Sequence, residues 1–355
     1  MRLAFTHAYS WPEVRRGGER LLHEIAAALA GRGHAVTVFT AGASASTTND
    51  DGVRIVKLKR RFDDAIRHEV DFAWRLLPRL RVGSFDAVHA FGPHDAVAAI
   101  RSRRLGARHR TAYTNLGIPT REWWSGIPYG RAHRTIVDQV DLYGCLSRYA
   151  VDVLRDDWGR AGVMTPGGVD LAEFNPADAR EPVPTILYSG ALDERRKGVA
   201  DLLAAVGRLA EHVPDVHLWL SGPGDPTPLL AAAPAAAAAR TEVLPLGAPH
   251  GQRDRYARAW VTAVPAQWEA FGLVLLESLA CGTPVVVADH AALPELVEPG
   301  VTGILAPPGD SGALATALAA GLELTAHEGV AKACRDSAAE YDWRRVGAAY
   351  EALYS

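Results

Sequence analysis

The chain has 355 residues, of which 48% are hydrophobic and 22% charged, with a formal net charge of −3. That composition excludes a disordered chain, and no apolar run approaches the ~20 residues that a membrane-spanning helix needs. One hydrophobic core rarely grows past roughly 250–300 residues, so two domains are expected.

In chain order, residues 3–6 read as a short apolar strand. Residues 19–30 follow as an amphipathic helix with Leu21, Leu22, Ile25, Ala26 and Leu29 on one face, stopped by Gly31 and Gly33. Strands are expected over 35–40, 53–58, 87–91 and 111–114, separated by helical stretches. Residues 166–184 contain Pro166, Pro176, Pro182 and Pro184 and few periodic apolar positions, which reads as a linker. The pattern then restarts with a strand over 185–189 and a helix over 199–209. Further strands are expected over 216–221, 241–244, 260–264 and 284–288. The Ala-rich tract 231–239, broken by Pro234, reads as a surface helix without chemistry.

Short apolar strands joined by helices indicate parallel sheets covered on both faces. The expected fold is α/β, with two doubly wound Rossmann-like domains facing an interdomain cleft. The divisions are 1–165 as an N-terminal acceptor-side domain, 166–184 as linker, 185–340 as a C-terminal donor-binding domain, and 341–355 as a helix crossing back to the first. Ligands in such sheets bind at the carboxyl ends of the strands.

Charge is uneven. Residues 1–165 hold 25 Lys/Arg against 17 Asp/Glu, and the remainder 13 against 24. The basic half suits a solvated face beside an acidic neighbour, or an anionic acceptor or membrane surface. No recognition-helix pattern, zinc spacing or aromatic RNA-binding signature points to nucleic acid. Cys145, Cys281 and Cys334 form no CxxC pair and are expected as reduced thiols. The opening MRLAFTHAYSW lacks a long apolar region and a cleavage site, so no leader is expected, and the expected location is cytoplasmic, with peripheral membrane contact left open.

The chemistry-bearing motifs fall at strand ends. Residues 269–277 read EAFGLVLLE and follow a strand and a turn. The amides of Phe271, Gly272 and Leu273 would sit at a helix start, where free donors and the helix dipole favour phosphate. Glu269 and Glu277 place two carboxylates around that point, suited to sugar and ribose hydroxyls. A buried helix with one solvated and one capping Glu is the plainer alternative. A second element, SGALDERRKG over 189–198, sets a cationic loop before a helix, where it can neutralise a diphosphate. The third, RRGGER over 15–20, follows the first strand, and its paired Gly17 and Gly18 permit close backbone approach. Gly-Gly alone also fits a plain turn.

Here a resemblance becomes specific. Residues 265–289, PAQWEAFGLVLLESLACGTPVVVAD, resemble the donor-site signature of retaining GT-B glycosyltransferases of family four, and 293–310, LPELVEPGVTGILAPPGD, are similar too. The resemblance implies that Glu269 contacts donor-sugar hydroxyls and Glu277 the ribose. It implies that Phe271, Gly272 and Leu273 offer amides to the diphosphate and sugar. Lys197 matches the family's phosphate-binding lysine. The usual arginine is replaced by Ala191, and Arg195 or Arg196 could supply that charge. The glycines at 17 and 18 resemble the loop that closes over the diphosphate. Leu246 and Gly247 resemble the loop beside the nucleobase, and TPGGVD over 165–170 resembles an interdomain element.

On the acceptor side, the family's usual histidine position holds Thr114, with Asn115 next. His89, His94 and Asp95 flank the preceding strand end, and Tyr9, Trp11, Trp123 and Trp124 offer aromatic surfaces; core roles are equally open to each. No D-x-D sequence occurs, so no metal and no cofactor are expected beyond a nucleotide-diphosphate sugar as co-substrate. The implied activity is metal-independent, retaining hexosyl transfer from a nucleotide sugar, UDP before GDP, to a hydroxyl acceptor such as a natural product, a lipid-linked sugar or a polysaccharide. Lys197 and Glu269 are the catalytic candidates. A non-catalytic sugar-nucleotide-binding protein and a GT-B isomerase are the alternatives. Oligomeric state is not encoded in these features.

Overall fold

The computed structural model describes every residue except Ile127, Gly247 and Ala248; the side chains of Pro249 and His250 also lie outside the description. The chain divides into two compact units, Met1–Gly168 with Trp343–Ser355, and Val169–Asp342.

The first unit is built on an eight-stranded sheet: β1 (Arg2–Thr6), β2 (Ala35–Gly42), β3 (Ser46–Asp50), β4 (Val53–Lys59), β5 (Ala87–Ala90), β6 (Arg110–Asn115), β7 (Leu142–Cys145) and β8 (Val163–Met164). Their order is β3-β4-β2-β1-β5-β6-β7-β8, parallel except for the β3/β4 hairpin. The order reverses between β1 and β5. The second unit carries β9 (Thr185–Ser189), β10 (His217–Ser221), β11 (Thr241–Leu244), β12 (Val261–Val264), β13 (Val285–Ala288) and β14 (Gly303–Ala306). That sheet is wholly parallel, in the order β11-β10-β9-β12-β13-β14, and reverses between β9 and β12. Each reversal opens a crevice at the carboxyl ends of its two central strands, the place where doubly wound sheets take ligands.

The strands are apolar because both faces are covered. Val285, Val286 and Val287 are fully buried, as are Ile186 and Leu187. The helix Val199–Leu209 lays seven residues, including Leu202, Leu203 and Val206, onto the sheet. A fully buried side chain of this kind contributes about 1.5–3 kcal/mol.

Several expectations need correction. Residues 169–184 do not stand apart as a linker. Phe174 is buried, the Arg335 guanidinium donates to the carbonyls of Leu171 (2.9 Å) and Phe174 (3.1 Å), and Arg180 donates to those of Ala259 (2.5 Å) and Gly282 (2.9 Å). Two half-buried arginines thus satisfy the carbonyls of an irregular segment and bind it to the second unit. The Ala-rich tract forms two short helices, Thr227–Ala232 and Ala235–Ala238, and Ala237 is fully buried in the core. Strands β3, β7, β8 and β14 were not expected. The polar, solvent-facing β3 has no apolar signature, and the other three are four residues or fewer.

The helix Trp343–Tyr354 packs within the first unit. Tyr350 donates to the Thr165 carbonyl (2.8 Å), and the Tyr354 hydroxyl meets His89 Nδ1 at 2.6 Å. Among the described residues, no helix is long and apolar enough to cross a membrane.

Candidate active site

In the second unit, the chain leaving β9 turns through the short helix Arg195–Lys197 and then Gly198, whose φ of +73° is a left-handed conformation. A Cβ there would lie 2.4 Å from the Pro265 carbonyl oxygen, so glycine is required both by conformation and by space. This contact brings the loop after β9 against the loop after β12. The Gln267 amide donates to the Arg196 carbonyl (2.8 Å), and Arg196 Nη1 donates to the Trp268 carbonyl (3.0 Å). Lys197 Nζ meets Glu269 Oε2 at 2.6 Å, with the two side chains 19% and 22% exposed. The switch point of this sheet therefore carries an ion pair open to solvent on one side.

Immediately beyond it, Gly272 (φ +109°) caps the helix Leu273–Ala280 without a side-chain hydrogen bond. The first amides of such a helix have no intrahelical acceptor. Phe271 is buried and sets its ring 5.9 Å from that of Tyr341, holding the turn. Glu277 lies one turn further along and is 5% exposed. Burial and the adjacent Glu277 carboxylate push the Tyr256 hydroxyl well above its ordinary range.

Sequence reasoning missed the polar group around this carboxylate. Gln252 Nε2 donates to Ser189 Oγ (2.9 Å), and its Oε1 accepts from Ser221 Oγ (3.0 Å). Arg255 donates to Ser221 Oγ (2.7 Å) and to the Pro245 carbonyl (2.6 Å), which holds the chain that leads to the exposed Leu246. These residues lie on the helix Pro249–Arg258, whose weakly periodic sequence gave no signal. Gly247, expected beside the nucleobase, lies outside the described residues.

The first unit presents its own switch point between β1 and β5. Gly17 and Gly18 open the helix Gly17–Gly31, and a Cβ on Gly18 would lie 2.6 Å from Leu116 Cδ1. Glu19 is buried, which raises a carboxyl pKa, yet hydrogen bonds from His7 (3.3 Å) and Arg16 hold it at about 2. Asp95 is buried more deeply, and burial pushes it up to about 6 despite a hydrogen bond from Thr6 Oγ (3.0 Å).

The acceptor-side candidates divide sharply. His89 is 1% exposed, lies between Tyr354 and Thr114 Oγ (2.8 Å), and is lowered by burial to about 3. Thr114 is fully buried and bonds onward to Thr165 Oγ (3.0 Å). Asn115 is buried as well; its amide donates to the Tyr143 hydroxyl (3.0 Å) and its oxygen accepts from Gly117 N (2.9 Å). These three form interior networks. Trp124 is stacked on buried His133, with centroids 4.1 Å apart. Trp123 is 63% exposed and Trp11 half-buried. His94 alone among the histidine candidates reaches a cavity, with its Nδ1 3.3 Å from Glu69 Oε2.

Two parallel-sheet α/β units, each with a glycine-opened helix at its switch point and the second with a lysine–carboxylate pair there, define an enzyme of the GT-B fold. A family model described as "Glycosyltransferase Family 4" matches residues 15–173, and one described as "Glycosyl transferases group 1" matches residues 183–323. The chain belongs to this glycosyltransferase family and transfers sugar from a nucleotide sugar.

A phosphatidyl-myo-inositol mannosyltransferase of Mycolicibacterium smegmatis is 28% identical, the match covering 100% of this chain and 93% of that protein. A glycogen synthase of Mycobacterium tuberculosis is also 28% identical, over 98% and 93%. Among solved structures, sucrose-phosphate synthase from Thermosynechococcus elongatus superposes with a TM-score of 0.86 at 22% identity, covering 99% of this chain and 98% of that one. Anabaena Alr3699/HepE in complex with UDP and glucose gives 0.78 at 19% identity, each chain covered in full.

Proposed function

We propose that the enzyme transfers a hexose with retention of configuration, without a metal ion, from a UDP-sugar to a hydroxyl acceptor. One observation carries this reading: the Lys197–Glu269 pair, 2.6 Å apart, at the switch point directly before the Gly272 helix start. Each side chain keeps about one-fifth of its surface in solvent, so a ligand entering from that side can give both partners new hydrogen bonds and separate them. Lys197 then turns to the diphosphate and Glu269 accepts from sugar hydroxyls. The amides of Phe271, Gly272 and Leu273 face the phosphates, and Glu277 accepts from ribose hydroxyls. In the first unit, Gly17 and Gly18 open a helix start of the same phosphate-binding kind.

In the transfer step the acceptor oxygen bonds the anomeric carbon on the face that the diphosphate leaves. The bond from that carbon to the diphosphate oxygen breaks, and the acceptor proton passes to the departing phosphate. Lys197 and the helix amides stabilise the charge that develops there. Arg196 adds a weaker contribution, since its guanidinium is committed to Glu194 (2.6 Å) and Trp268.

A UDP-sugar is supported by the HepE structures in complex with UDP and with UDP-glucose. A mannosyl donor is the second reading, supported by full-length relatives named for mannose transfer. The same name gives a lipid acceptor, which the basic first 165 residues suit through peripheral contact with an anionic membrane. A thermal-shift panel of UDP-, GDP- and dTDP-sugars in EDTA tests the donor. A ligand at 100 times its Kd stabilises by about 2.7 kcal/mol. UDP-glucose is expected to give the largest shift; a shift seen only with added divalent metal overturns the metal-independent reading.

A further inference from the structure

The first unit holds a groove that the donor chemistry leaves unused. It runs between the helices Ala65–Val82, Pro93–Arg104 and Gly130–Gln139, with a volume of about 380 Å³, in the range of small-molecule sites. Its walls are apolar: Val70, Leu77, Val97 and Ala98 among others. Its two ends differ in chemistry. At one end, beside the carboxyl edge of β5, His94 lines the groove. Glu69 holds that imidazole by Nδ1 (3.3 Å) and also accepts from the Tyr9 hydroxyl (3.4 Å), leaving Nε2 for a ligand. The Tyr129 ring packs edge-on at 5.1 Å, completing this end.

At the other end, Arg101 lies with its guanidinium 5.8 Å from the ring centre of Trp74, which is 63% exposed. Arg101 lies seven positions after His94 on the same helix, or about 10 Å along the axis. Arg131 lines the groove too. Neither Arg101 nor Arg131 has a carboxylate partner among the described residues, whereas Arg103, two residues on, is paired with Asp141 (2.5 Å). Cations left unpaired over an apolar floor favour an anion.

Resting on the transferase reading, we propose that this groove binds the acceptor, and that the acceptor is an elongated apolar or aromatic organic acid. Its hydroxyl meets the His94–Glu69 pair, its body lies along Val70, Leu77 and Val97, and its carboxylate meets Arg101 beside Trp74. His94 is here a positioning residue: it orients the acceptor hydroxyl.

The test uses 6-hydroxy-2-naphthoate, a fluorescent rigid probe with a hydroxyl and a carboxylate at opposite ends, titrated into the full chain and read by anisotropy. Saturable binding is expected, weakened at least tenfold by Arg101→Ala. 2-Naphthol, which lacks the acid, should bind wild type and Arg101→Ala equally. His94→Gln should weaken both hydroxylated probes and leave 2-naphthoate unchanged. Trp74→Ala, at an exposed position that does not threaten folding, should weaken all three. Absence of saturable binding to the wild type, equal affinity in Arg101→Ala, or displacement of the probe by UDP would overturn the proposal. Failure of every nucleotide sugar to shift melting, with probe binding intact, counts instead against the donor reading.

Discussion

The carboxyl edges of the two sheets treat their polar side chains in opposite ways. In the first unit, histidine, threonine and asparagine are drawn inside and bonded to one another, as in the path from Tyr354 through His89 and Thr114 to Thr165. In the second, Lys197 and Glu269 bond to each other while still about one-fifth exposed. A buried network is expensive to open, because each broken bond leaves an unsatisfied polar group costing about 1–3 kcal/mol. A solvent-facing ion pair is held by little. Groups that must change partners during a reaction therefore belong to the second arrangement, and groups that fix the frame belong to the first.

The largest effect that this comparison predicts is at the exchangeable pair. Lys197→Ala and Glu269→Ala should each lower kcat roughly 100-fold, about 3 kcal/mol, with melting temperature nearly unchanged. Steady-state rates with the preferred sugar nucleotide check this. Wild-type turnover in both purified variants would remove the site from the second unit altogether.

The second-unit site was legible because its parts are contiguous. Residues 269–277 and 189–198 each form one loop and one helix start, so a linear reading singled out as candidates Lys197, Glu269 and Gly272, which the fold brings to one strand edge. The alternation of strand and helix likewise revealed both sheets, since buried parallel strands such as 185–189 and 285–288 are unbroken apolar runs. What stayed hidden depends on pairing across the chain. His89 looks like a site residue in HAFGPHD, and only its contact with Tyr354, 265 positions away, shows it to be interior. Glu69 gave no motif, because its meaning comes from Tyr9 and His94 on other elements. Arg255 and Gln252 were missed for the same reason.

The frame side of the comparison should be visible as pH dependence. Burial holds His89 at about 3, so the folded chain refuses a proton that the unfolded chain accepts near 6.5. That group's contribution to stability is complete above about 6.5 and is lost as pH falls toward 3, at about 1.4 kcal/mol per pH unit. Asp95 opposes it: its carboxyl, raised to about 6, favours the fold increasingly as pH falls from 6 toward its unfolded value. His89→Gln should therefore lose stability less steeply than wild type between pH 6.5 and 4.5, measured by urea unfolding at several pH values. Parallel slopes would mean that His89 takes up its proton inside the fold.

The smallest predicted effect sharpens the comparison from within one loop. Arg196 neighbours Lys197 and carries the same charge, yet its guanidinium already bonds Glu194 and the Trp268 carbonyl and is about half exposed. Water screens it, and its hydrogen bonds serve the loop rather than a ligand. Arg196→Ala should thus change kcat less than about fivefold, or about 1 kcal/mol, with any loss falling on donor KM. A loss matching that of Lys197→Ala would show that being already paired does not keep a cation from the departing phosphate. In that case Arg196 would supply the charge that Ala191 lacks.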